Sequence, residues 1–386
     1  MTAKLVTVSH RGAARWVRGH PWIYRSDVLS PTPEPGLVPV ADPDGRFIGQ
    51  ALCSPRSEIR LRLLERTGSP VTREWWRGRL ALALARRDGI EATAFRLVHG
   101  EGDGLPSLVV DRYDRWLVVQ LLSAGLETMR EDILAALAEL TRPEGILLRN
   151  DVPVRRQEGL PEQVELVQGT VPEWIEVTEG GLRYLAAPWS GQKTGAFLDQ
   201  RPNRLLAGEM ARPGGEALDC FAYHGSFALH LARRSARVLA LDTSAEALGR
   251  GARNAEMNGL DNIEWTTGDA FEVLRDFEHR GRRFDTIVLD PPAFAKTRAA
   301  TGNALRGYKE INLRAMRILR PGGVLLTASC SFHVSRPQFH QMLADAAADS
   351  GRRMVLDRIL GQGTDHPEVL TVPETGYLKG ALLRAE

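Results

Sequence analysis

The sequence predicts an α/β protein: a doubly wound parallel sheet in the C-terminal half, preceded by a small β-rich module and a central α+β unit. Three observations predict it. From residue 215 onwards, five strand-like runs alternate with helical ones, the pattern of a parallel sheet with helices on both faces. Residues 1–70 carry only short apolar runs parted by turn residues. Residues 95–188 mix several strand-like runs with one helical stretch.

In residues 1–70 the runs KLVTV, GLVPVADPDGRFIGQAL and EIRLRLLE are strand-like, and Pro43-Asp44-Gly45 reads as a hairpin turn. Residues 71–90 read as one connecting helix with apolar Trp75, Leu80, Leu82 and Leu84 and a stop at Gly89. FRLVHGE, SLVVDRY, WLVVQLL and GILLRND are strand-like, with LETMREDILAALAEL helical between the last two; VELVQG, EWIEVTEGG and LRYLAAPW follow as strands. The expected division is 1–70, a connector at 71–94, a central unit at 95–190, and the doubly wound unit at 191–386. In that last unit the strands are EALDCFAY, RVLALDTS, NIEWTTGD, RFDTIVLDPP and PGGVLLTASCS. Helices intervene, the last of them YKEINLRAMRIL, and RMVLDRILGQ and GYLKGALLRAE close the chain.

A chain of 386 residues is long enough for two or three domains. Hydrophobic residues make up 43% and charged residues 25%, as in globular proteins, and no apolar run reaches membrane-spanning length. The N-terminus lacks the apolar core of a secretory signal. Cys53, Cys220 and Cys330 are too few for a disulfide framework, and no Cys/His spacing suggests a metal site. A reducing, cytoplasmic compartment is expected. Net charge is only +2, but residues 1–75 hold eleven Lys/Arg against seven Asp/Glu, compatible with a phosphate-binding surface or an ordinary solvated face.

Chemistry is expected at the carboxyl ends of the parallel strands. In ALDCFAYHGSFALHLA, 217–232, a strand ends in a tight turn that opens a helix, and Gly225 lets the backbone approach a ligand. A full G-x-G-x-x-G is absent, so a dinucleotide fingerprint fails. Asp242 ends the next strand, where a carboxylate can accept from ribose hydroxyls, and Asp269 follows the third. Each acid alone also suits a helix N-cap; the ordered set fits an adenosine-containing ligand. VLDPPAFAKT, 288–297, puts Asp290 after the fourth strand, where two prolines stiffen the turn. A carboxylate and carbonyls there can hold the amino edge of a base, and Phe294 can stack on its face or pack in the core.

Cys330 ends the fifth strand, facing the Asp290 segment across the crevice. A thiolate there suits a particular chemical problem. The C5 carbon of a pyrimidine is a poor nucleophile until a thiolate adds to C6 and makes C5 enamine-like, with a carboxylate near N3 supporting the ring. The alternative is a small residue packed behind a strand, as Cys53 and Cys220 read.

At these residues the chain resembles the class I S-adenosylmethionine-dependent methyltransferases. More closely, it resembles the bacterial 23S rRNA (cytosine-5)-methyltransferases of the large-subunit methyltransferase I type, which join a PUA module, a central α+β domain and a Rossmann-like methyltransferase domain. The motifs are RGHPWIYRSDV (18–28), EGDGLPSLVVDRY (101–113), SGQKTGAFLDQRPNR (190–204), LDPPAFAKT (289–297), RGYKEINLRA (306–315), ASCS (328–331), and DHPE with YLKG near the end. The resemblance implies that S-adenosylmethionine is bound by Asp219, Phe221, Asp242, Asp269 and Asp290, with Lys193, Asp199, Gln200 and Arg201 contributing. Arg201 or Lys193 would neutralise the cofactor carboxylate. Cys330 falls on the family's nucleophile; on the reading of the residues above, Asp290 would assist it and Phe294 would meet the base or pack in the core. The N-terminal module would bind RNA, 23S rRNA by the resemblance, through phosphate contacts of Arg18 and Arg25. No membrane partner is implied, and a homodimer is allowed. His224 in YHGS and Phe332 in SCSF depart from the family pattern. His224 is read either as a cofactor contact or as a surface substitution, and Phe332 as a change to the base pocket. Two other readings stay open: N-methylation of an RNA purine at DPPAF, which needs no cysteine, and a non-catalytic RNA-binding or ribosome-assembly protein.

Overall fold

The structure is a computed structural model describing residues 5–295 and 297–386, so Lys296 of the DPPAFAKT segment lies outside the described residues. Two compact units form. The first takes the chain up to Val177 together with Ala186–Leu198 and Thr364–Thr375; the second takes Thr178–Leu185, Asp199–Gly363 and Gly376–Glu386.

The first unit holds two five-stranded sheets. One runs in the order Val6–Thr7, Gly36–Ala41, Phe47–Cys53, Ile59–Glu65, Trp22–Tyr24. Its hairpin turn forms as the Pro-Asp-Gly signal predicts: Asp42 Oδ1 accepts from the amides of Asp44 and Arg46, and Gly45 takes φ 82°. A helix over His10–Val17, which the strand-like reading of this module passed over, is capped by Ser9 and buries Trp16 in the core beside Ile23, Val40 and Leu61. The other sheet runs Val164–Gly169, Gly145–Arg149, Trp116–Leu121, Leu108–Tyr113, Ala94–His99. Its single parallel pair, Trp116–Leu121 with Gly145–Arg149, is crossed over by the helix Arg130–Thr141. That helix and Arg73–Ala85 bury Ile133, Leu137, Trp76 and Leu80 in one core.

The second unit is built on a seven-stranded sheet. Its strands are β1 (Glu216–Cys220), β2 (Arg237–Asp242), β3 (Ile263–Thr267), β4 (Phe284–Leu289), β5 (Leu319–Ser329), β6 (Met354–Leu360) and β7 (Lys379–Ala385). The order is β3-β2-β1-β4-β5-β7-β6, parallel except where β7 inserts antiparallel between β5 and β6. The helices are α1 (Arg201–Met210), α2 (Ser226–Ala232), α3 (Ala245–Met257), α4 (Ala270–His279), α5 (Thr301–Ile318) and α6 (Arg336–Ser350). Strand alternation sends Leu218, Cys220, Leu239 and Leu241 into one core with Leu274 (α4), Ile311 (α5) and Phe339 (α6). Ala217, Val238 and Ala240 go into the other, with Leu206 (α1), Leu231 (α2) and Leu248 (α3). β4, FDTIVL, is buried at every position, as a central strand covered on both faces must be. Each large apolar side chain so buried contributes about 1.5–3 kcal/mol. α5 begins at Thr301, ahead of the expected start at Tyr308, because Gly302 and Gly307 mask its periodicity. A Cβ on Gly307 would come 3.4 Å from the Phe294 ring, so the ring lies in contact range of this turn of the helix.

The chain order reverses between β1 and β4, so a crevice opens at their carboxyl ends, where open α/β sheets bind ligands.

Candidate active site

The turn after β1 is held in an uncommon backbone state. Phe221 (φ 66°), Tyr223 (φ 50°) and Gly225 (φ 78°) are all left-handed. Two are aromatic residues, for which the conformation costs about 1–3 kcal/mol each and persists only where neighbours enforce it. Asp242 at the end of β2 does so: its Oδ2 accepts from the Tyr223 amide (2.8 Å) and its Oδ1 from the Ser244 amide (2.9 Å). Gly225 is required for a further reason. A Cβ there would meet the Trp265 ring at 2.4 Å, so this glycine admits an indole as well as a left-handed turn.

Asp219, one residue from the end of β1, is buried. Its Oδ2 accepts from the Ala228 amide in the first turn of α2 (2.9 Å), and its Oδ1 has no hydrogen-bond partner among the described residues. Burial pushes its carboxyl well above the usual carboxylate range. The Ala228 amide pulls the other way, and the charges of Asp290 and Asp242 push further up. A buried acceptor lacking a donor, beside two more carboxylates, suits a cationic ligand with N–H or O–H groups. S-adenosylmethionine, which carries a sulfonium, an amine and ribose hydroxyls, fits that requirement. Asp269 is the N-cap of α4, with Oδ1 accepting from the Phe271 and Glu272 amides (2.8 and 3.2 Å). It is exposed at the same rim.

Asp290 follows β4, and its Oδ1 accepts from Gln200 Nε2 (2.7 Å). Gln200 is buried, and its Oε1 accepts from Asn203 (2.6 Å). Asp199 accepts from the Tyr377 hydroxyl (2.6 Å), and Arg201 opens α1 as a buried side chain. Thus Asp199, Gln200, Arg201, Asp219, Phe221, Gly225, Asp242, Asp269, Asp290, Phe294 and Cys330 all belong to the second unit. Lys193, Arg18 and Arg25 belong to the first. Lys193 is exposed, left-handed (φ 55°), with its ammonium 4.6 Å from the Phe197 ring. Arg18 and Arg25 are exposed, and Arg25 lies 3.9 Å from the Glu58 carboxylate.

Phe294 sits in an aromatic cluster, 4.6 Å from Tyr308, 5.8 Å from Phe271 and 6.4 Å from Phe221 between ring centroids. Cys330 follows β5 directly and is partly exposed, with Sγ 4.0 Å from the Pro291 carbonyl. Cys53 and Cys220 are buried in cores. The segment after Cys330 is tied down. Ser331 Oγ bonds the Tyr308 hydroxyl (2.8 Å) and accepts from the Ala295 amide (3.1 Å), while Lys379 Nζ donates to the Ser331 carbonyl (2.6 Å). Tyr308 and Lys379 were not assigned roles from sequence, although RGYKEINLRA and YLKG were both singled out. Their positions depend on pairings distant in the chain.

His224 is buried, so the surface-substitution reading is excluded. Its ring stacks on Tyr184 (5.5 Å), and neither ring nitrogen has a hydrogen-bond partner among the described residues. Burial, helped by Arg204 and Arg250, lowers its pKa to about 3, so the ring is neutral. Phe332, by contrast, is 58% exposed beside Cys330.

A β3-β2-β1-β4-β5-β7-β6 sheet with acids at successive strand ends defines a nucleoside-cofactor methyltransferase. Comparison with known proteins agrees. The model for S-adenosylmethionine-dependent methyltransferases matches residues 96–384, and that for PUA-like domains matches residues 6–66. Ribosomal RNA large subunit methyltransferase I of Aeromonas hydrophila is 39% identical over 401 aligned positions, covering 100% of both chains. That of Shewanella amazonensis is 39% identical over 379, covering 95% of this chain and 96% of its own. The chain therefore belongs to the S-adenosylmethionine-dependent methyltransferases, in the family of these large subunit methyltransferase I proteins. Two solved structures share the fold at 18% identity, each covering 98% of this chain and 99% of its own. One is a Streptococcus mutans structure described as a SAM-dependent methyltransferase, at TM-score 0.84; the other is described as a methyltransferase complexed with SAH, at 0.86. No helix among the described residues is long and apolar enough to cross a membrane.

Proposed function

We propose that this chain methylates C5 of a cytosine in large-subunit ribosomal RNA through a covalent adduct at Cys330. One observation carries the reading: a partly exposed thiol at the end of β5, 4.0 Å from the carbonyl of the Asp290-Pro291-Pro292 turn at the end of the adjacent β4. The RNA class is inferred from the names of the full-length relatives and from the PUA-like N-terminus, whose exposed Arg18 and Arg25 suit phosphate contacts.

S-adenosylmethionine, when bound, supplies an electrophilic methyl group. Asp219, Asp242 and Asp269 would hold it by its polar groups, with Gln200 fixing the Asp290 carboxylate alongside. Asp199 and Arg201 are assigned to the same site by the QKTGAFLDQR motif. The Cys330 thiolate adds to C6 of the cytosine, forming an S–C6 bond and shifting the C5–C6 π pair toward C5. Asp290, in its protonated form, donates a hydrogen bond to N3 as negative charge spreads into the ring, and keeps its proton when the adduct collapses. After C5 is methylated, its proton leaves to a solvent base. The C5–C6 double bond then re-forms and the S–C6 pair returns to sulfur. Phe294 and exposed Phe332 offer aromatic faces to the base.

The test uses labelled S-adenosylmethionine, deproteinised 23S rRNA, and nucleoside analysis. Label is expected in 5-methylcytidine. Cys330→Ser is expected to lose turnover while keeping cofactor binding. Label in a methylated purine, or turnover by Cys330→Ser, would replace this reading with non-covalent N-methylation at Asp290.

A further inference from the structure

β7 enters the sheet antiparallel to β5, pairing Lys379 with Ser329, the residue before Cys330. Lys379 is 3% exposed. Its ammonium donates to the carbonyls of Ser331 (2.6 Å) and Tyr377 (2.8 Å). Carbonyls solvate a buried cation but do not neutralise it, and a buried charge is costly without a counter-ion. Among the described residues no carboxylate pairs with Lys379. The group that favours its charged form is the Cys330 thiolate, while burial and Arg336 of α6 oppose that form and bring the amine down to about 8. The other groups around the pair are Tyr308 of α5, bonded to Ser331, Asp290 in the turn before Pro291, and Tyr377, whose hydroxyl is committed to Asp199.

We propose that Lys379 is the positioning residue of the nucleophile: its buried ammonium pins the 329–331 turn and holds Cys330 as a thiolate. This rests on the covalent reading above and adds to it the origin of the thiol's activation. The ammonium keeps its proton throughout. It stabilises sulfur as the attacking thiolate and again as the leaving thiolate when the adduct collapses. A lysine is suited to this because its point charge can sit beside a sulfur while its N–H groups grip two carbonyls. Thiol and amine titrate as a coupled pair, so thiolate support fades as pH rises and the amine deprotonates.

The experiment reads the thiol directly, without RNA. Alkylation of Cys330 by iodoacetamide, followed peptide by peptide in a mass spectrometer between about pH 6 and pH 10, gives its titration midpoint. Wild type, Lys379→Met and Lys379→Arg are compared. The wild-type midpoint is expected below the free-thiol value of about 8.5. Lys379→Met should raise it by about one unit and slow alkylation at neutral pH about tenfold; Lys379→Arg should restore most of the rate. A Lys379→Met profile that superimposes on wild type overturns the proposal. If Lys379→Met does not fold, a wild-type midpoint at or above the free-thiol value overturns it alone. Turnover by Cys330→Ser would instead remove the catalytic use of the pair, leaving the thiol profile as a separate result.

Discussion

Substituting Glu179 by Gln tests what holds the start of α1, and with it the Asp199–Arg201 segment. Glu179 and Arg204 are 1% and 2% exposed, with Arg204 Nε donating to Glu179 Oε1 at 2.6 Å and a second guanidinium nitrogen bonding Oε2. His230 Nε2 lies 3.2 Å from the same Oε1. Burial alone would push the Glu179 carboxyl upward; Arg204, then His230, outweigh it and hold the pKa at about 2, against an ordinary 4.5. That depression corresponds to roughly 3 kcal/mol of stability at neutral pH, the lower end of the ~3–5 kcal/mol lost when one partner of a buried pair is removed. Because the folded-state pKa is lowered, the contribution is complete above the unfolded value of 4.5 and disappears as pH falls through about 2. Urea melts of wild type and Glu179→Gln at neutral pH should differ by roughly 3 kcal/mol, and the difference should shrink as pH falls below 4.5. The double variant Glu179→Gln/Arg204→Met, which also removes the guanidinium that lost its partner, should recover part of the loss. A loss under about 1 kcal/mol, or a gap that ignores pH, would refute the reasoning.

Asp242→Ala should weaken S-adenosylmethionine binding about tenfold to a hundredfold in calorimetry, the equivalent of losing charge-assisted hydrogen bonds and the tie to the Tyr223 amide. Affinity within twofold of wild type would sink the assigned role. Iodoacetamide on the native protein should modify Cys330 alone. Burial, with Glu158 adding to it, raises Cys53 to about 11, and burial raises Cys220 well above its usual value. Labelling of either at the Cys330 rate would show that these cores open.

Much of this protein was legible because it is written in local pattern. The alternation of strands with helices gave the doubly wound sheet and the order in which acids reach its rim, since the carboxyl ends of parallel strands all lie on the crevice side of the sheet. The position of Cys330 just past an apolar run was readable for the same reason. The helix His10–Val17 was missed because a single buried indole, Trp16, anchors eight residues of low apolar content. The early start of α5 was missed because two glycines interrupt its pattern.

The sequence by itself determined which residues lie at the carboxyl ends of the strands, the edge at which open α/β sheets bind ligands. Only the tertiary structure decided which distant segments meet. β7 lies between β5 and β6, which brings Lys379 to the Cys330 turn from 49 positions downstream of it in sequence. Glu179, in a hairpin well before the sheet, pairs with Arg204 of α1, and His224 is enclosed against Tyr184. Residues 364–375 join the first unit although they lie between two strands of the second. Periodicity reports the face on which a side chain lies, because that is set by the dihedral angles of its own segment. Partner choice is set by register and by the desolvation of charged groups against one another, and those are properties of the folded chain.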